Sequence, residues 1–251
     1  MRTPPRAYHD PKFIDSDEGR PVRIVSEYLA PLRAFGDAGI SATVVFFGSA
    51  RLRAGGPLGD YLAQATELAR LVTEWSRTLG EERLVVCSGG GPGIMEAANR
   101  GAALAGGRSI GLNIGLPQEQ RPNAYVTPEL CFQFHYFFMR KLWFAHLAHA
   151  LIAFPGGFGT LDELFEILTL AQTQKLDRSI PVLLYGSAFW KEVVNFDALV
   201  RHGTIAAGDL RLFEFVDEPH IALERLKSRI QLPSALLPRL SFARSRCPDD
   251  A

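Results

Sequence analysis

The sequence predicts an α/β fold of the Rossmann-like, doubly wound kind: a mostly parallel sheet with helices on both faces, preceded by an N-terminal helical extension. Three observations predict it. Continuous apolar, β-branched runs such as Ala42–Phe47 read as strands buried on both sides. Segments with apolar residues at helical spacing alternate with those runs. Two glycine clusters, Gly89–Gly93 and Gly156–Gly159, stand directly after apolar runs. In such sheets, ligands bind outside the carboxyl ends of the strands.

Taken in order, residues 1–16 are polar and proline-bearing and read as a poorly ordered arm. From Asp17 to Phe35, Val22, Val25, Tyr28, Leu29 and Leu32 recur at helical spacing, with Pro31 expected to kink or divide the helix. This helix is too short to bury a core alone. Ala42–Phe47 is the first strand, ending at Gly48, and an amphipathic helix spans Leu58–Leu79. Arg83–Cys87 forms the second strand, followed by Ser88–Gly93 and a helix through Leu104. Ser109–Ile114 and Glu129–Phe134 give two more strands, and Tyr136–His149 an aromatic helix. Ala150–Phe154 is a strand running into Pro155-Gly156-Gly157, with a helix over Thr160–Gln174. Strand Ile180–Tyr185, a helix over Phe189–Arg201, strand Leu212–Phe215 and helix Pro219–Ile230 complete the series. The divisions are therefore 1–40 (arm and helix), 41–231 (nucleotide-binding catalytic domain) and 232–251 (tail).

Composition narrows the function. Lys plus Arg equals Asp plus Glu at 27 each, so net charge gives no reason to bind a nucleic acid polymer or an acidic membrane. Any phosphate recognition must be local. Cys87, Cys131 and Cys247 lack CxxC spacing and are odd in number, which argues against a zinc site or a disulfide framework. No signal-peptide pattern opens the chain and no run of 18 apolar residues occurs, so the expected location is cytoplasmic.

Ser88-Gly89-Gly90-Gly91-Pro92-Gly93 can turn backbone amides toward a ligand, with Pro92 suited to the start of a helix. A bare strand-to-helix turn explains the same glycines. The run is a poor dinucleotide fingerprint, because Ile94 stands where a third glycine belongs, and no GxxxxGK[ST] loop occurs. In Pro155-Gly156-Gly157-Phe158-Gly159-Thr160-Leu161-Asp162-Glu163, the free amides of a first helical turn favour an anion such as a phosphate monoester. Thr160 and Glu163 also fit a T-x-x-E capping box, a wholly structural alternative.

PGGFGTLDE at Pro155–Glu163 resembles the PGGxGTxxE signature of the Lonely Guy family, the cytokinin-activating phosphoribohydrolases, many of them first labelled lysine decarboxylases. Phe138-Met139-Arg140-Lys141 resembles the family's Arg-Lys motif, and Gly48-Ser49 and SGGGPGIM match two further blocks. The similarity runs from about residue 42 to 203, and the longer ends look like the longer bacterial branch. The resemblance implies that Arg140 and Glu163 are the catalytic pair and that Gly156, Gly157, Gly159 and Thr160 hold a 5′-phosphate. It also implies that Gly48, Ser49, Gly89, Gly90, Gly91, Met139 and Lys141 border the nucleotide. The implied reaction hydrolyses the N-glycosidic bond of AMP or an N6-prenylated analogue, without metal or cofactor. The implied assembly is a homodimer or higher homo-oligomer with sites near the subunit interface.

Physical reasoning agrees with that allocation. Cleavage passes through an oxocarbenium-like ribosyl centre, which a carboxylate stabilises while water attacks C1′. Arg140 could instead pair with a buried acid or snorkel outward from its aromatic helix. Lys141 is expected to support the site or face solvent, and His135, His146 and His149 lack metal-ligand spacing. The stripe Tyr136, Phe137, Trp143, Phe144 is expected in a core or subunit interface. A second class is a non-catalytic nucleotide or nucleotide-like cofactor carrier using the same loops. Decarboxylation would need pyridoxal phosphate on a lysine, and Lys141, Lys175 and Lys191 have no setting for it.

Overall fold

A computed structural model describes residues 4–80, 83–115, 121–176 and 178–232. The expected tail beyond Leu232, with Cys247, lies outside the described residues. Ala42–Leu232 forms one compact unit, and the described residues up to Ser41 belong to another.

The first unit departs from a poorly ordered arm. Residues Ala7–His9 make a 3₁₀ turn, and helix α1 (Pro11–Ile14) follows, its N-terminus capped by Asp10, whose Oδ1 accepts from Lys12 N at 3.0 Å. Helix α2 (Arg20–Ala38) runs unbroken through Pro31 rather than dividing there. It stops at Gly39, whose φ of +68° supplies the left-handed residue that ends many helices.

The second unit carries seven strands in the order β4-β3-β2-β1-β5-β6-β7. These are β1 (Thr43–Phe47), β2 (Val85–Ser88), β3 (Ser109–Ile114), β4 (Cys131–Phe134), β5 (Ala148–Ala153), β6 (Val182–Tyr185) and β7 (Glu214–Val216). Every pairing is parallel. All carboxyl ends therefore share one edge, and the chain reverses its direction of growth between β1 and β5. That reversal is the topological switch point where doubly wound sheets bind ligands.

Helices cover both faces, as the alternation in β1 shows. Val44 and Phe46 join the core formed with α3 (Asp60–Thr78), α4 (Ile94–Leu104) and α9 (Pro219–Arg229). Phe47 points the other way, its ring edge-on to Phe144 of α5 (Phe137–His146) at 4.9 Å. With α6 (Phe158–Gln172) packed on β1, the sheet is enclosed, which is why its strands read as continuous apolar runs. Trp190 locks β5 to β6 by donating its indole N–H to Ala153 O and Tyr185 O, each at 3.0 Å.

Several boundaries differ from the sequence reading. The aromatic helix stops at His146, and β5 starts at Ala148, so His149 is a strand residue. Its Nδ1 meets Leu147 O at 3.0 Å and its Nε2 meets Arg178 at 3.3 Å, which allows an imidazole inside the sheet. The helix expected over Phe189–Arg201 is two, α7 (Ser187–Val193) and α8 (Phe196–Arg201), because Asn195 starts a new helix by accepting Ala198 N–H. Residues Ala207–Leu212 form a 3₁₀ turn, so the last strand begins at Glu214.

Candidate functional site

Three loops meet at the switch point. Gly48-Ser49 leaves β1, Gly89–Gly93 leaves β2, and Phe154–Gly157 leaves β5. Ser49 splices the other two together: its N–H donates to Pro155 O at 3.0 Å, and its carbonyl accepts Ile94 N–H at 3.1 Å. Gly48 lies against Ile94, which a Cβ there would approach to 2.6 Å. Gly90 and Gly93 have φ of +69° and +68°, so the β2 loop uses backbone shapes that side chains disfavour.

Arg140 and Glu163 face each other across this edge. Arg140 comes from α5 and Glu163 from the second turn of α6, and Nη1 lies 3.2 Å from Oε1. Their side chains are only 11% and 13% exposed. The guanidinium is fixed on three sides. Its Nε donates to Leu112 O at 2.8 Å, its plane lies over Phe144 at 5.0 Å, and Gly89 leaves room for Nη2, which a Cβ would meet at 2.7 Å. Burial pushes Glu163 up to about 7 despite the opposing pull of Arg140. Beneath them, burial also raises the Cys87 thiol well above its usual range, so it stays protonated.

The phosphate-loop expectation needs one correction. Helix α6 opens at Phe158, not Thr160, with Gly157 at the N-cap and no side-chain cap. Thr160 is therefore inside the first turn and buried, and the T-x-x-E capping box is not formed. Its side chain turns inward against Gly156, where a Cβ would sit 2.1 Å from Thr160 Oγ1. The first i→i−4 bond of the turn is Leu161 N–H to Gly157 O. Among the described residues, the N–H groups of Phe158, Gly159 and Thr160 have no partner, which is the usual anion-accepting state of a helix start. A Cβ at Gly157 or Gly159 would meet nothing within 4 Å, so packing within the chain does not demand glycine at either position.

The remaining expected residues divide. Gly89, Gly90 and Gly91 follow the end of β2, and of the three Gly89 lies against the Arg140 guanidinium. Met139 is buried in the interior face of α5. Lys141 reaches the acids on either side of Glu163 along α6, with Nζ 2.8 Å from Asp162 and 3.3 Å from Glu166. Tyr136, Trp143 and Phe144 are buried, whereas Phe137 is exposed. Among the described residues, no cluster of three or more His, Cys, Asp or Glu side chains could hold a metal ion.

Sequence reasoning missed the polar scaffold under the β2 loop. Asn99 of α4 is fully buried, and its Oδ1 accepts from Ser88 Oγ at 2.8 Å and from Asn123 Nδ2 at 2.9 Å. Asn123 also donates to the carbonyls of Gly90 and Gly91, each at 3.0 Å. An asparagine between the apolar positions Ala98 and Gly101 of α4 was a usable signal for the first of these. Asn123, in a loop between strands, had none.

A family described as "Possible lysine decarboxylase" matches residues 95–226, which include Arg140, Glu163 and the loop between β5 and α6. The rice (Oryza sativa subsp. japonica) protein named "Probable cytokinin riboside 5'-monophosphate phosphoribohydrolase LOGL5" is 28% identical over 183 residues, 66% of this chain and 71% of that one. The Escherichia coli K12 "Pyrimidine/purine nucleotide 5'-monophosphate nucleosidase" is 33% identical over 122 residues, 43% of this chain but only 25% of that longer protein. Among solved structures, a structural-genomics target superposes with a TM-score of 0.54 at 21% identity, over 74% of this chain and 99% of the target. The molybdenum cofactor binding protein of the phototrophic bacterium Rippkaea orientalis superposes at 0.50 and 23% identity, over 75% of this chain and 96% of that one. Those two likenesses show the fold alone. Since the matched segment spans more than half the chain and carries both members of the buried ion pair, this protein belongs to the family so described, that of the LOG phosphoribohydrolases.

Proposed function

We propose that this protein hydrolyses the N-glycosidic bond of a nucleoside 5′-monophosphate, AMP or its N6-prenylated analogue, giving free base and ribose 5-phosphate. The observation that carries the reading is the buried Arg140–Glu163 pair beside the open amides of α6. A phosphate monoester on the N–H groups of Phe158, Gly159 and Thr160 gains both hydrogen bonds and the favourable end of the helix dipole. Glu163 lies five residues on, about 7.5 Å along the axis, and helical side chains lean back toward the N-terminus. Its carboxylate is thereby directed at the sugar of a nucleotide held by its phosphate.

There the ionised Glu163 stabilises positive charge at C1′ and orients the attacking water, while Arg140 favours the ionised form. The two proton states of Glu163 are balanced near neutrality, which suits a group that must take up a proton from that water and release it again. The catalytic domain in this reading is 41–231, flanked by the arm and helix of 1–40 and the tail of 232–251. Exposed Phe137, Phe138 and Leu142 on α5, the helix that carries Arg140, support a homo-oligomer formed with a second copy beside the site. The free thiols of Cys87 and Cys131 suit the reducing cytoplasm.

The test is base release from a panel of nucleoside monophosphates, read by chromatography. Adenine liberation from AMP or its prenylated analogue, lost in Glu163→Gln with the fold intact, is the expected result. Full activity in that variant removes Glu163 from the mechanism, and no base release from any nucleotide in the panel overturns the reading.

A further inference from the structure

The segment between β3 and β4 bears on the site through Asn123. The backbone N–H of Asn123 donates to Gly90 O at 2.8 Å, and its Nδ2 donates to Gly90 O, Gly91 O and Asn99 Oδ1. Asn99 cannot drift, because its Nδ2 is bound to Ile110 O at 3.3 Å and its Oδ1 also accepts from Ser88 Oγ. Ser88 Oγ in turn accepts Gly90 N–H at 3.0 Å. Both hydrogen-bonding groups of Gly90 are thus committed.

One group in the loop is left over. The Gly90–Gly91 peptide is trans, so a carbonyl pinned toward Asn123 turns the N–H of Gly91 to the opposite side. Gly91 is buried, and its N–H has no hydrogen-bond partner among the described residues. A backbone N–H that meets no acceptor within a buried residue is uncommon in proteins, so the position suits an acceptor from outside the chain. Gly91 follows β2, and the amides of α6 follow β5, with β1 between them. Two strand spacings separate these loops by roughly 10 Å. An acceptor for Gly91 therefore belongs to the nucleoside end of a ligand whose phosphate sits on α6.

We infer that Asn123, locked by Asn99 and Ser88, is a positioning residue that presents the Gly91 N–H to the base or ribose of the bound nucleotide. The inference rests on the nucleotide-cleaving reading above and assigns a second, phosphate-independent contact to that site. Asn123→Asp tests it, since it keeps the shape but replaces the donor by an acceptor facing two carbonyls and Asn99 Oδ1. The expected result is a tenfold or larger fall in kcat/KM for AMP, with inorganic phosphate inhibiting the variant as well as it inhibits the wild type. A purely structural lesion would weaken both equally, and that outcome overturns the inference, as does AMP turnover within twofold of wild type. Amide spectra of wild-type protein labelled with ¹⁵N-glycine give a reading that does not depend on turnover or on the variant folding. The Gly91 resonance should shift on saturation with AMP, and an unmoved resonance overturns the inference. Absence of base release with a shifted Gly91 would instead overturn the hydrolase reading alone.

Discussion

Replacing Glu163 by Gln should change the pH dependence of stability as well as activity. Burial lifts this carboxyl from 4.5 to about 7. A tenfold change in acidity is worth about 1.4 kcal/mol, so ionising the group in the folded state costs roughly 3 kcal/mol. The sign follows from proton counting. Between pH 4.5 and about 7 the unfolded chain has released this proton while the folded protein still holds it. Stability contributed by Glu163 is therefore fully present below 4.5 and lost as pH rises through about 7. Glutamine does not titrate, so that slope disappears. The change also puts an amide nitrogen in place of a carboxyl oxygen beside Arg140, a packing and hydrogen-bonding offset that does not vary with pH, limited because the amide oxygen can still accept from Nη1; the lost charge is already contained in the shift to about 7. Chemical denaturation at a series of pH values separates the two, since wild type minus variant gives the slope apart from the offset. The same titration should appear in catalysis as a wild-type kcat/KM that rises with pH and levels off above about 7. Parallel stability curves for the two proteins from pH 4 to pH 8 would refute the argument, because they would mean that this carboxyl is not desolvated.

Other changes separate packing from binding. Gly156→Ala puts a Cβ 2.1 Å from Thr160 Oγ1 and should cost about 1–3 kcal/mol in thermal or denaturant unfolding. Gly159→Ala enters open space within the first turn of a helix, so stability should hold or rise by up to about 1 kcal/mol while KM for a nucleoside monophosphate increases. Arg140→Lys loses the fork that joins Leu112 O to Glu163, and kcat should fall by about 100-fold or more in steady-state assays. Lys141→Ala breaks two partly exposed ion pairs and should cost no more than about 1 kcal/mol, shrinking in high salt.

The fold was legible wherever burial was complete. Ser109–Ile114 and the alternation of strand and helix could be read because residues covered on both faces leave an uninterrupted apolar run. Boundaries failed where a polar side chain found a local partner. His149 hid the start of β5 because its ring is satisfied by Leu147 O and Arg178, contacts that no periodicity encodes. Asn195 split a helix by capping the next one, an event three residues long inside a longer apolar pattern. At the site, glycine spacing pointed to both loops, and the signature suggested Arg140 with Glu163. What sequence could not supply was direction. Thr160 looked like a cap, yet it faces inward, and Asn123 looked like an ordinary loop residue although it fixes the carbonyls of Gly90 and Gly91.

The glycines of the loop between β5 and α6 have different physical causes. Gly156 is required by the chain itself, because Thr160 occupies the space a side chain would need. Gly157 and Gly159 meet no such neighbour, so the folded chain gains nothing from their bareness while its unfolded form gains entropy. A cost without a packing return is what a backbone-lined ligand site asks of its glycines. Arg140 supports the same inference from the other side. Its contacts with Leu112, Phe144 and Glu163 fix a cation, of these three Glu163 is the charged one, and burial makes that charge costly to keep. A fully matched structural ion pair would hold its carboxylate ionised well below neutrality. This one is poised to change protonation near neutrality, which favours chemistry over stability as the reason the pair exists.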